Sequence, residues 1–317
     1  MRCRLIAVGM CAVIAGCGRI GFEAGNGAGS DAGVIGGAPV DACTFGPWNT
    51  SALQPFGKIN TPATEWGAQI SADGLHVVFS SDRNDPEHPN PGGDQNLYIA
   101  QRASLDVEFE PPAYIAEIDG PSDNPRDPTF TPDLLELYFV ADDSTAATSC
   151  VYVSQWTTAT AAWGPPIELA ALCPPPSGTL GGIYLSDDGL RLYYDTSSGG
   201  KSSVLQMTSR PARDAMFTSA GEPVAGLSHG LGYCALSADE RTIACESDTS
   251  LSSRPQLWQA ARPARDAPFG PAAAIPELLD ATQDDGDPSF TADGTQLVYA
   301  AAVGGNNDLR VAERACQ

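Results

Sequence analysis

The chain is poor in basic residues, with 17 Lys and Arg against 39 Asp and Glu, so its 317 residues carry a formal net charge of −22. A surface with this balance repels phosphate backbones, and nucleic acid binding is not expected. Only three histidines are present, and the sequence has no Gly-x-Ser-x-Gly elbow, phosphate-binding glycine loop or His-Glu-x-x-His segment. These absences argue against serine hydrolase, P-loop nucleotidase and zinc protease activity.

Long apolar runs are also missing, except for a short one in the N-terminal segment. Arg2 and Arg4 precede an apolar stretch, Leu5 to Ile14, that is too short to span a bilayer. The adjoining Ile14-Ala15-Gly16-Cys17 resembles the lipobox of bacterial lipoproteins. This resemblance implies that residues 1–17 are a signal, that Cys17 is lipidated, and, because Gly follows it, that the protein is anchored to the outer membrane. An ordinary secretory signal cleaved nearby is the alternative.

The rest of the chain divides into a linker and a folded domain. Residues 18–42 are rich in Gly, Ala and Asp, which predicts a flexible linker of roughly 25–30 Å and leaves residues 43–317 as the domain. Six cysteines remain after the signal and Cys17 are set aside, an even number that suits an oxidising compartment. These cysteines are Cys43, Cys150, Cys173, Cys234, Cys245 and Cys316. No two of them have the Cys-x-x-Cys spacing of zinc or redox sites.

One unit recurs five times within the domain. Each copy has a short turn built on Asp, and a strand with a Leu-Tyr-like pair follows about twenty residues later. Steps of 51 to 60 residues separate successive turns, and such a period in an all-β pattern is typical of a propeller. The turn aspartates are Asp73, Asp133, Asp188, Asp239 and Asp293.

The turns have a fixed register. Apolar residues lie three before and four after each Asp, as Ile70 and Val77 do in the first unit. If these positions face each other across a hairpin, the loop holds an even number of residues. A two-residue Asp-Gly turn and a four-residue loop both fit. Leu134 and Glu240 lack the freedom of glycine for positive φ, so a four-residue loop that begins at Pro132 in the second unit is favoured.

After the hairpin each unit adds a third strand, and then an aromatic, usually followed by proline, introduces a fourth strand. The last unit ends before its fourth strand. Phe45-Gly46-Pro47-Trp48 supplies the missing pattern from the N-terminal side. A ring closed in this way has no free edge. We therefore predict an all-β propeller of five four-stranded blades, completed by an N-terminal strand. A stacked β-solenoid is the alternative, although its coils are shorter than about 50 residues.

The repeat register also assigns the cysteines to three disulfides. One pair lies directly opposite within the fourth hairpin, one brackets the third and fourth strands of the second unit, and one brackets the closure of the ring. In that order the pairs are Cys234 with Cys245, Cys150 with Cys173, and Cys43 with Cys316.

These units resemble the TolB-type, WD40-like propeller repeats of bacterial envelope proteins. The first unit matches the family pattern with Ser71-Ala72-Asp73-Gly74, Ser80-Ser81-Asp82-Arg83 and Asn96-Leu97-Tyr98. The third and fourth units depart from it, with Asp195 and Glu246 in the Ser-Asp-Arg segment. The resemblance covers residues 60–315 and implies a propeller with a protein-binding role. It carries over no catalytic residue, because such repeats are scaffolding.

Two carboxylates keep a glycosidase open as an alternative. Asp127 and Asp287 stand six residues before their turns, at the entry of an inner strand, and some five-bladed propellers are glycosidases with acids in the central funnel. Such an enzyme needs two carboxyls at a defined separation across the sugar. Both residues precede proline, where a turn or a strand start is the simpler interpretation. Gly67, Gly182 and Tyr233 occupy the equivalent place in the other units.

A weaker candidate is a calcium site in the loop with Asp82, Asp85 and Asp94, which has suitable oxygen ligands but not the spacing of a defined calcium loop. A solvated acidic loop is the simpler interpretation. We therefore expect a monomeric, non-enzymatic envelope lipoprotein without a cofactor, which binds a protein or a glycan. A glycan-cleaving propeller is the alternative.

We predict that the oxidised mature protein contains no free thiol, because its six unlipidated cysteines form three pairs. A thiol reagent under denaturing conditions should react only after reduction. A cysteine that reacts before reduction would contradict the pairing.

Overall fold

The computed structural model describes residues 44–51, 53–84, 89–90, 92–118, 123–143, 148–175, 178–198, 202–248, 254–280 and 282–316. The predicted signal, Cys17, the linker and Cys43 lie outside these residues. Apart from 3-10 turns at Ala116–Ile118, Ala170–Leu172 and Pro276–Leu278, the described elements are β-strands. None of the described helices is long or apolar enough to cross a membrane.

Five antiparallel sheets form the blades of a β-propeller, which confirms the predicted fold class. Within a blade, strands adjacent in sequence pair with each other, because short turns join them. From inner to outer strand, the first blade consists of β2 (Glu65–Ile70), β3 (His76–Ser81), β4 (Asn96–Gln101) and β5 (Ala113–Tyr114), and the second of β6 (Asp123–Phe130), β7 (Glu136–Asp143), β8 (Thr148–Thr157) and β10 (Ile167–Glu168), with β9 (Ala162–Trp163) also paired to β8. The third blade consists of β11 (Gly178–Leu185), β12 (Arg191–Ser198), β13 (Val204–Ser209) and β14 (Glu222–Pro223), and the fourth of β15 (Leu231–Leu236), β16 (Thr242–Ser247), β17 (Leu257–Ala261) and β18 (Ala273–Ala274). The fifth blade consists of β19 (Asp285–Phe290), β20 (Gln296–Val303), β21 (Asn306–Glu313) and the N-terminal β1 (Asn49–Thr50).

The N-terminal strand closes the ring as predicted. β1 pairs antiparallel with β21, and Phe45 forms a further bridge opposite Cys316. The outer strand of the fifth blade therefore comes from the start of the domain, while its other three strands come from the end. Cys316 is disulfide-bonded, whereas Cys43, its predicted partner, lies outside the described residues.

The Asp turns have the predicted register in all five blades. In the first, Ile70 pairs with Val77, and the Ser71 N–H donates to the His76 carbonyl at 2.8 Å, which leaves a four-residue loop. Asp73 Oδ1 accepts from Ser71 Oγ at 2.6 Å and from the Leu75 N–H at 2.9 Å. The carboxylate thus satisfies the loop locally. Equivalent bonds recur at Asp133, Asp188, Asp239 and Asp293.

The third residue of this loop has positive φ in every blade. Glycine occupies it in three blades, but Leu134 at 57° and Glu240 at 55° adopt the same conformation. Their side chains, which the sequence suggested would disfavour positive φ, do not change the loop, because the hydrogen bonds around the Asp are the same. This conformation costs a non-glycine residue about 1–2 kcal/mol.

Apolar side chains on alternate strand positions pack between blades and form the core. Phe79 and Tyr98 of the first blade, for example, pack in one cluster with Val298 and Val311 of the fifth. The two disulfides inside blades are confirmed: Cys150 with Cys173 (Cα separation 4.4 Å) and Cys234 with Cys245 (4.1 Å).

An arginine directly after the third strand fastens the Asp turn to the aromatic that precedes the fourth strand. In the first blade Arg102 Nε donates to the Gly74 carbonyl at 2.8 Å, and its guanidinium lies 4.6 Å from the centre of the Phe109 ring. We call these side chains turn arginines. The others, with their aromatics, are Arg210 with Phe217, Arg262 with Phe269, and Arg314 with Phe45.

The second blade replaces the arginine with Trp156, which packs edge-on against Trp163 at 5.3 Å. Its backbone N–H still donates to the Leu135 carbonyl at 2.8 Å, as the Arg102 N–H does to Leu75 at 2.9 Å. The backbone geometry is therefore common to the blades, while the contact between the turn and the aromatic differs.

Glu240 is a buried carboxylate among arginines. It is 2% exposed and lies 3.3 Å from Arg191 and 3.5 Å from Arg262, and Arg265 also donates to it. The ion pairs with the arginines compensate the buried charge of Glu240 and offset the backbone strain at this position.

We predict that Glu240→Gly destabilises the protein by about 2–4 kcal/mol, although glycine suits the positive φ. The loss arises because buried Arg262 loses its carboxylate partner, while Arg191 and Arg265 keep Asp266 and Asp188 but lose their contact with Glu240. Leu134→Gly at the same loop position of the second blade is the matched control and should change stability by less than about 1 kcal/mol. Urea unfolding of the two variants measures the difference, and equal stabilities would refute the ion-pair explanation.

Candidate functional site

The inner strands of the five blades surround a central funnel. Each inner strand has one edge without a strand partner, so N–H groups along it need other acceptors. All five inner strands carry a bulge, at the level of residues 66–69, 126–129, 180–183, 232–235 and 286–289. Positive φ values mark four of the bulges, at Gly67, Asp127, Tyr233 and Asp287.

The bulges turn backbone N–H groups toward the preceding blade. The N–H of Asp127 donates to Ser80 Oγ at 3.0 Å, and that of Tyr233 donates to Asp195 Oδ1 at 2.9 Å. The N–H of Asp287 likewise lies where it favours the ionised form of Glu246. The acceptor is in each case the residue seven positions after the turn Asp, so one blade is tied to the next.

Asp127 and Asp287, the predicted alternative catalytic pair, both line the funnel cavity. Gly67, Gly182 and Tyr233, their equivalents in the other blades, line it too. The cavity measures about 30 Å³, which is a volume for water rather than for a sugar ring, since ligand pockets usually measure about 300–1,000 Å³. The structure thus brings the two acids to one place, and a catalytic role for them stays a hypothesis.

Asp127 has the least satisfied carboxyl of the funnel. It is 4% exposed, and neither of its oxygens has a hydrogen-bond partner among the described residues. Arg126 Nε lies 3.8 Å from Oδ2. Burial, reinforced by the charge of Asp287, raises the pKa of Asp127 to about 8. This carboxyl therefore retains its proton at neutral pH.

Three other funnel carboxyls have raised pKa values. Burial raises the pKa of Asp195 to about 6, although backbone N–H groups of Tyr233 and Gly182 favour its ionised form. Burial also raises the pKa of Asp287 to about 6, against the effect of the Gly67 N–H. The pKa of Glu246 is raised by burial and by the charge of Asp287. Burial thus favours the protonated forms of these acids, and the backbone N–H groups oppose it.

Asp195 and Glu246 were not predicted as funnel residues. Both occupy the position seven after the turn Asp, where the other blades have Ser80, Val140 and Ala300. The five residue types share no chemistry, so the column gives no signal by itself. Neighbouring glycines make room for the two acids, and only the three-dimensional structure shows this: a Cβ on Gly181 would lie 2.2 Å from Asp195, and one on Gly286 would lie 2.0 Å from Glu246.

The weak calcium candidates are not assembled into a site in the described part of the loop. Asp82 Oδ1 accepts the Thr64 N–H at 2.8 Å, Asp94 is exposed, and Asp85 lies outside the described residues. The one group of potential metal ligands that lie close together among the described residues is Cys150, Glu168 and Cys173. Its two cysteines are joined in a disulfide and offer no thiolate.

Two larger cavities lie away from the funnel, and no pattern in the sequence points to them. One, of about 330 Å³, is lined by the segment that leads from the second blade to the third, with Cys173, by the third blade, with Tyr194, and by His229, which precedes the fourth blade; we call it the 2/3 groove. The other, of about 410 Å³, lies between the fourth and fifth blades, where Thr242 and Arg314 line it; we call it the 4/5 groove.

Comparison with known proteins supports the fold and no more. No family model matches the chain, and no curated protein matches it. Among solved structures, a thermostable family-43 glycoside hydrolase has 11% identity and a TM-score of 0.56, over 82% of this chain and 91% of that one. The α-L-arabinofuranosidase PaAbf62A from Podospora anserina has 13% identity and a TM-score of 0.53, over 87% and 98%.

TolB from Acinetobacter baumannii is also similar, with 13% identity, a TM-score of 0.48 and coverage of 81% of this chain. The match spans 56% of that TolB chain, little more than half its length. The chain is a five-bladed β-propeller, and identities this low do not extend the likeness to function.

We predict that the protein becomes less stable as the pH rises from about 5 to about 9. The folded state keeps protons on Asp127, Asp195 and Asp287 that the unfolded chain, with an ordinary pKa of 3.8, has lost. Their contribution to stability is full below about pH 4 and is lost as the pH rises through about 6 and then about 8. Urea unfolding across this range measures it.

Asp127→Asn should flatten the upper part of this profile, because the amide does not titrate, whereas Asp106→Asn, at an exposed position, should leave the profile unchanged. Stability that increases from pH 5 to pH 9, or the same slope in Asp127→Asn, would contradict the prediction.

Proposed function

We propose that this protein is a non-enzymatic binding scaffold whose propeller presents the grooves between its blades to a protein of the cell envelope. The observation that carries the proposal is the contrast in cavity size. The funnel holds about 30 Å³, whereas the 2/3 and 4/5 grooves hold about 330 and 410 Å³. The grooves reach the size of ligand sites and the funnel does not.

The use made of the funnel carboxylates supports the same proposal. Asp195 accepts the N–H of Tyr233 in the next blade, and Glu246 is placed to do the same for Asp287. Acids that hold blades together are not free to move protons on a substrate. Their raised pKa values then reflect burial, which also occurs at structural sites.

We further propose that the scaffold works outside the cytoplasm, anchored by a lipid on Cys17 to the outer membrane. The disulfides within the second and fourth blades suit an oxidising compartment. Incorporation of labelled palmitate into the wild-type chain, and its absence in Cys17→Ser, tests the anchor. Labelling that persists in Cys17→Ser would overturn it.

A glycan-cleaving enzyme is the second candidate, because Asp127 and Asp287 line one cavity with different proton affinities. Asp127, whose pKa is raised by burial and by the charge of Asp287, would donate a proton to the leaving oxygen, and Asp287, which accepts the Gly67 N–H, would act as base or nucleophile. This function requires the funnel to widen enough to admit a sugar.

An assay of the mature full-length chain on aryl glycosides and plant and bacterial polysaccharides separates the two candidates. We expect no turnover above that of Asp127→Asn and Asp287→Asn, because the cavity admits no sugar. Turnover by the wild type that either substitution abolishes would overturn the scaffold proposal and support the enzyme.

Crosslinking to envelope proteins tests the scaffold itself. We expect a specific partner whose capture is lost when a bulky side chain fills one groove, in Thr196→Trp for the 2/3 groove or Thr242→Trp for the 4/5 groove. Asp127→Asn is the matched control and should capture normally. Capture that is unaffected by both groove substitutions, or no partner at all, would refute binding through the grooves.

A further inference from the structure

Three of the four turn arginines meet an oxygen from a side chain in addition to the carbonyl of their turn. Arg102 Nη2 donates to Gln296 Oε1 at 3.5 Å, Arg210 Nη2 donates to Glu136 Oε2 at 2.8 Å, and Arg262 Nη2 lies 3.5 Å from Glu240 Oε2. A buried guanidinium requires such a partner, because an unpaired buried charge is costly.

The partner comes from a defined place in the repeat. Glu136 and Gln296 occupy the position three after the turn Asp, and each reaches the arginine of the following blade. At this position the third blade has Arg191, which cannot serve, and Glu240 takes over by contacting both Arg191 and Arg262. The fold thus provides a carboxylate or amide oxygen at three boundaries between blades.

Arg314 is the exception. It is 7% exposed, its Nε donates to the Gly294 carbonyl at 2.8 Å, and its Nη2 has no hydrogen-bond partner among the described residues. The corresponding residue of the preceding blade is Thr242, which is too short to replace a glutamate and carries no charge. Burial lowers the pKa of Arg314 to about 10, although the charge of Asp293 acts in the opposite direction.

Space is present where the partner is missing. Thr242 and Arg314 line the 4/5 groove, which measures about 410 Å³. Phe45 and Trp48 cover the guanidinium with ring centres 3.8 and 4.2 Å from its Cζ. Trp48 is itself held by a hydrogen bond from Nε1 to Gln259 Oε1 at 3.3 Å. The groove therefore offers an ordered cation with an unused donor.

We propose that the 4/5 groove binds a carboxylate, which takes at Arg314 the place that Glu136 takes at Arg210. Nη2 can donate a charge-assisted hydrogen bond to a carboxylate oxygen while Nε stays bonded to Gly294, and the aromatic wall excludes water from the pair. The carboxylate belongs either to an acidic side chain of a protein partner or to a small organic acid. In the first case the inference deepens the proposed scaffold function and rests on it.

The acidic charge of the protein defines how such a ligand binds. The net charge of −22 and the exposed Glu277 at the groove repel an anion at a distance, so attraction is confined to contact with Arg314. Salt screens the distant repulsion more than the buried contact. Binding should therefore strengthen or stay constant as salt is added, whereas binding to an exposed basic patch would weaken.

Benzoate and benzamide are matched probes, because they share a shape and differ in charge. We expect benzoate to shift the Nε–H resonance of Arg314 in NMR titrations of the full mature chain, with saturation, and to bind at least about tenfold more tightly than benzamide. Equal binding of the two probes, or tighter binding of inorganic phosphate than of benzoate, would overturn the assignment to a carboxylate.

A variant that supplies the missing carboxylate internally is the decisive test. Thr242→Glu places a glutamate at the repeat position of Glu136, and we expect it to abolish benzoate binding while it raises the unfolding temperature. Thr157→Glu, which adds the same charge at an exposed position outside the groove, is the control and should bind benzoate as the wild type does. Arg314→Lys should weaken binding at least about tenfold, because lysine lacks the planar fork. Unchanged benzoate binding in Thr242→Glu would refute the proposal.

Peptides distinguish the two sources of the carboxylate. A capped Gly-Glu-Gly peptide that binds more tightly than its Gln counterpart and than acetate supports a protein partner, whereas a preference for benzoate over the Glu peptide supports a small acid. If an envelope partner is captured through a groove but no carboxylate binds, this inference fails and the scaffold function stands. If a carboxylate binds but no envelope partner is captured, this inference stands and the scaffold function fails.

Discussion

The unpaired edge of each inner strand is the constraint on which the rest of this propeller depends. Backbone N–H groups on that edge face the neighbouring blade, and a side chain of that blade accepts them. Phe130 donates to Gln69 Oε1 at 3.0 Å and Ile70 donates to Ser289 Oγ at 3.1 Å. Together with the bonds made at the bulges, these contacts explain why polar residues are buried around the axis. Side chains hold the blades together near the axis, and turn arginines connect neighbouring blades at the Asp turns.

This constraint also explains how one fold can hold either structural or catalytic acids at its axis. A carboxylate that accepts a backbone N–H is satisfied, as Asp195 is, whereas Asp127 has no such donor among the described residues, and burial raises its pKa. Chemistry needs an acid that is free and a cleft that admits substrate. In this chain the first condition is met at one residue and the second is not met, since the cavity measures about 30 Å³. Similar folds in glycoside hydrolases therefore do not decide the function of this protein.

Much of the fold was predictable because each Asp turn is a local structure. The spacing of Ile70, Asp73 and Val77 fixes the loop length and therefore the faces of the strands, and the same register predicts the Cys234–Cys245 disulfide. The funnel acids were only half predictable. Asp127 precedes its turn at a repeated position, but Asp195 is conspicuous only when its neighbouring glycines are seen in three dimensions.

The grooves were not predictable, because they depend on which residues face each other between blades. Thr242 and Arg314 are 72 residues apart in the sequence and line one cavity. The missing partner of Arg314 becomes apparent only when Glu136 is seen beside Arg210. The sequence shows an arginine after the third strand in four of the five units, but it does not show what that arginine contacts.

The closure of the ring also has a mechanical consequence if the chain is tethered through its N-terminus. Tension along the linker would act first on Phe45, which forms the bridge to Cys316, and then on the two residues of β1, which pair with the end of β21. As this part of the chain is pulled away, Phe45 would lose its contact with the Arg314 guanidinium. A disulfide from Cys43 to Cys316 would carry the load past β1 directly to the last strand. In a tethered protein that bond would therefore keep the tension from reaching Phe45 and would preserve the 4/5 groove.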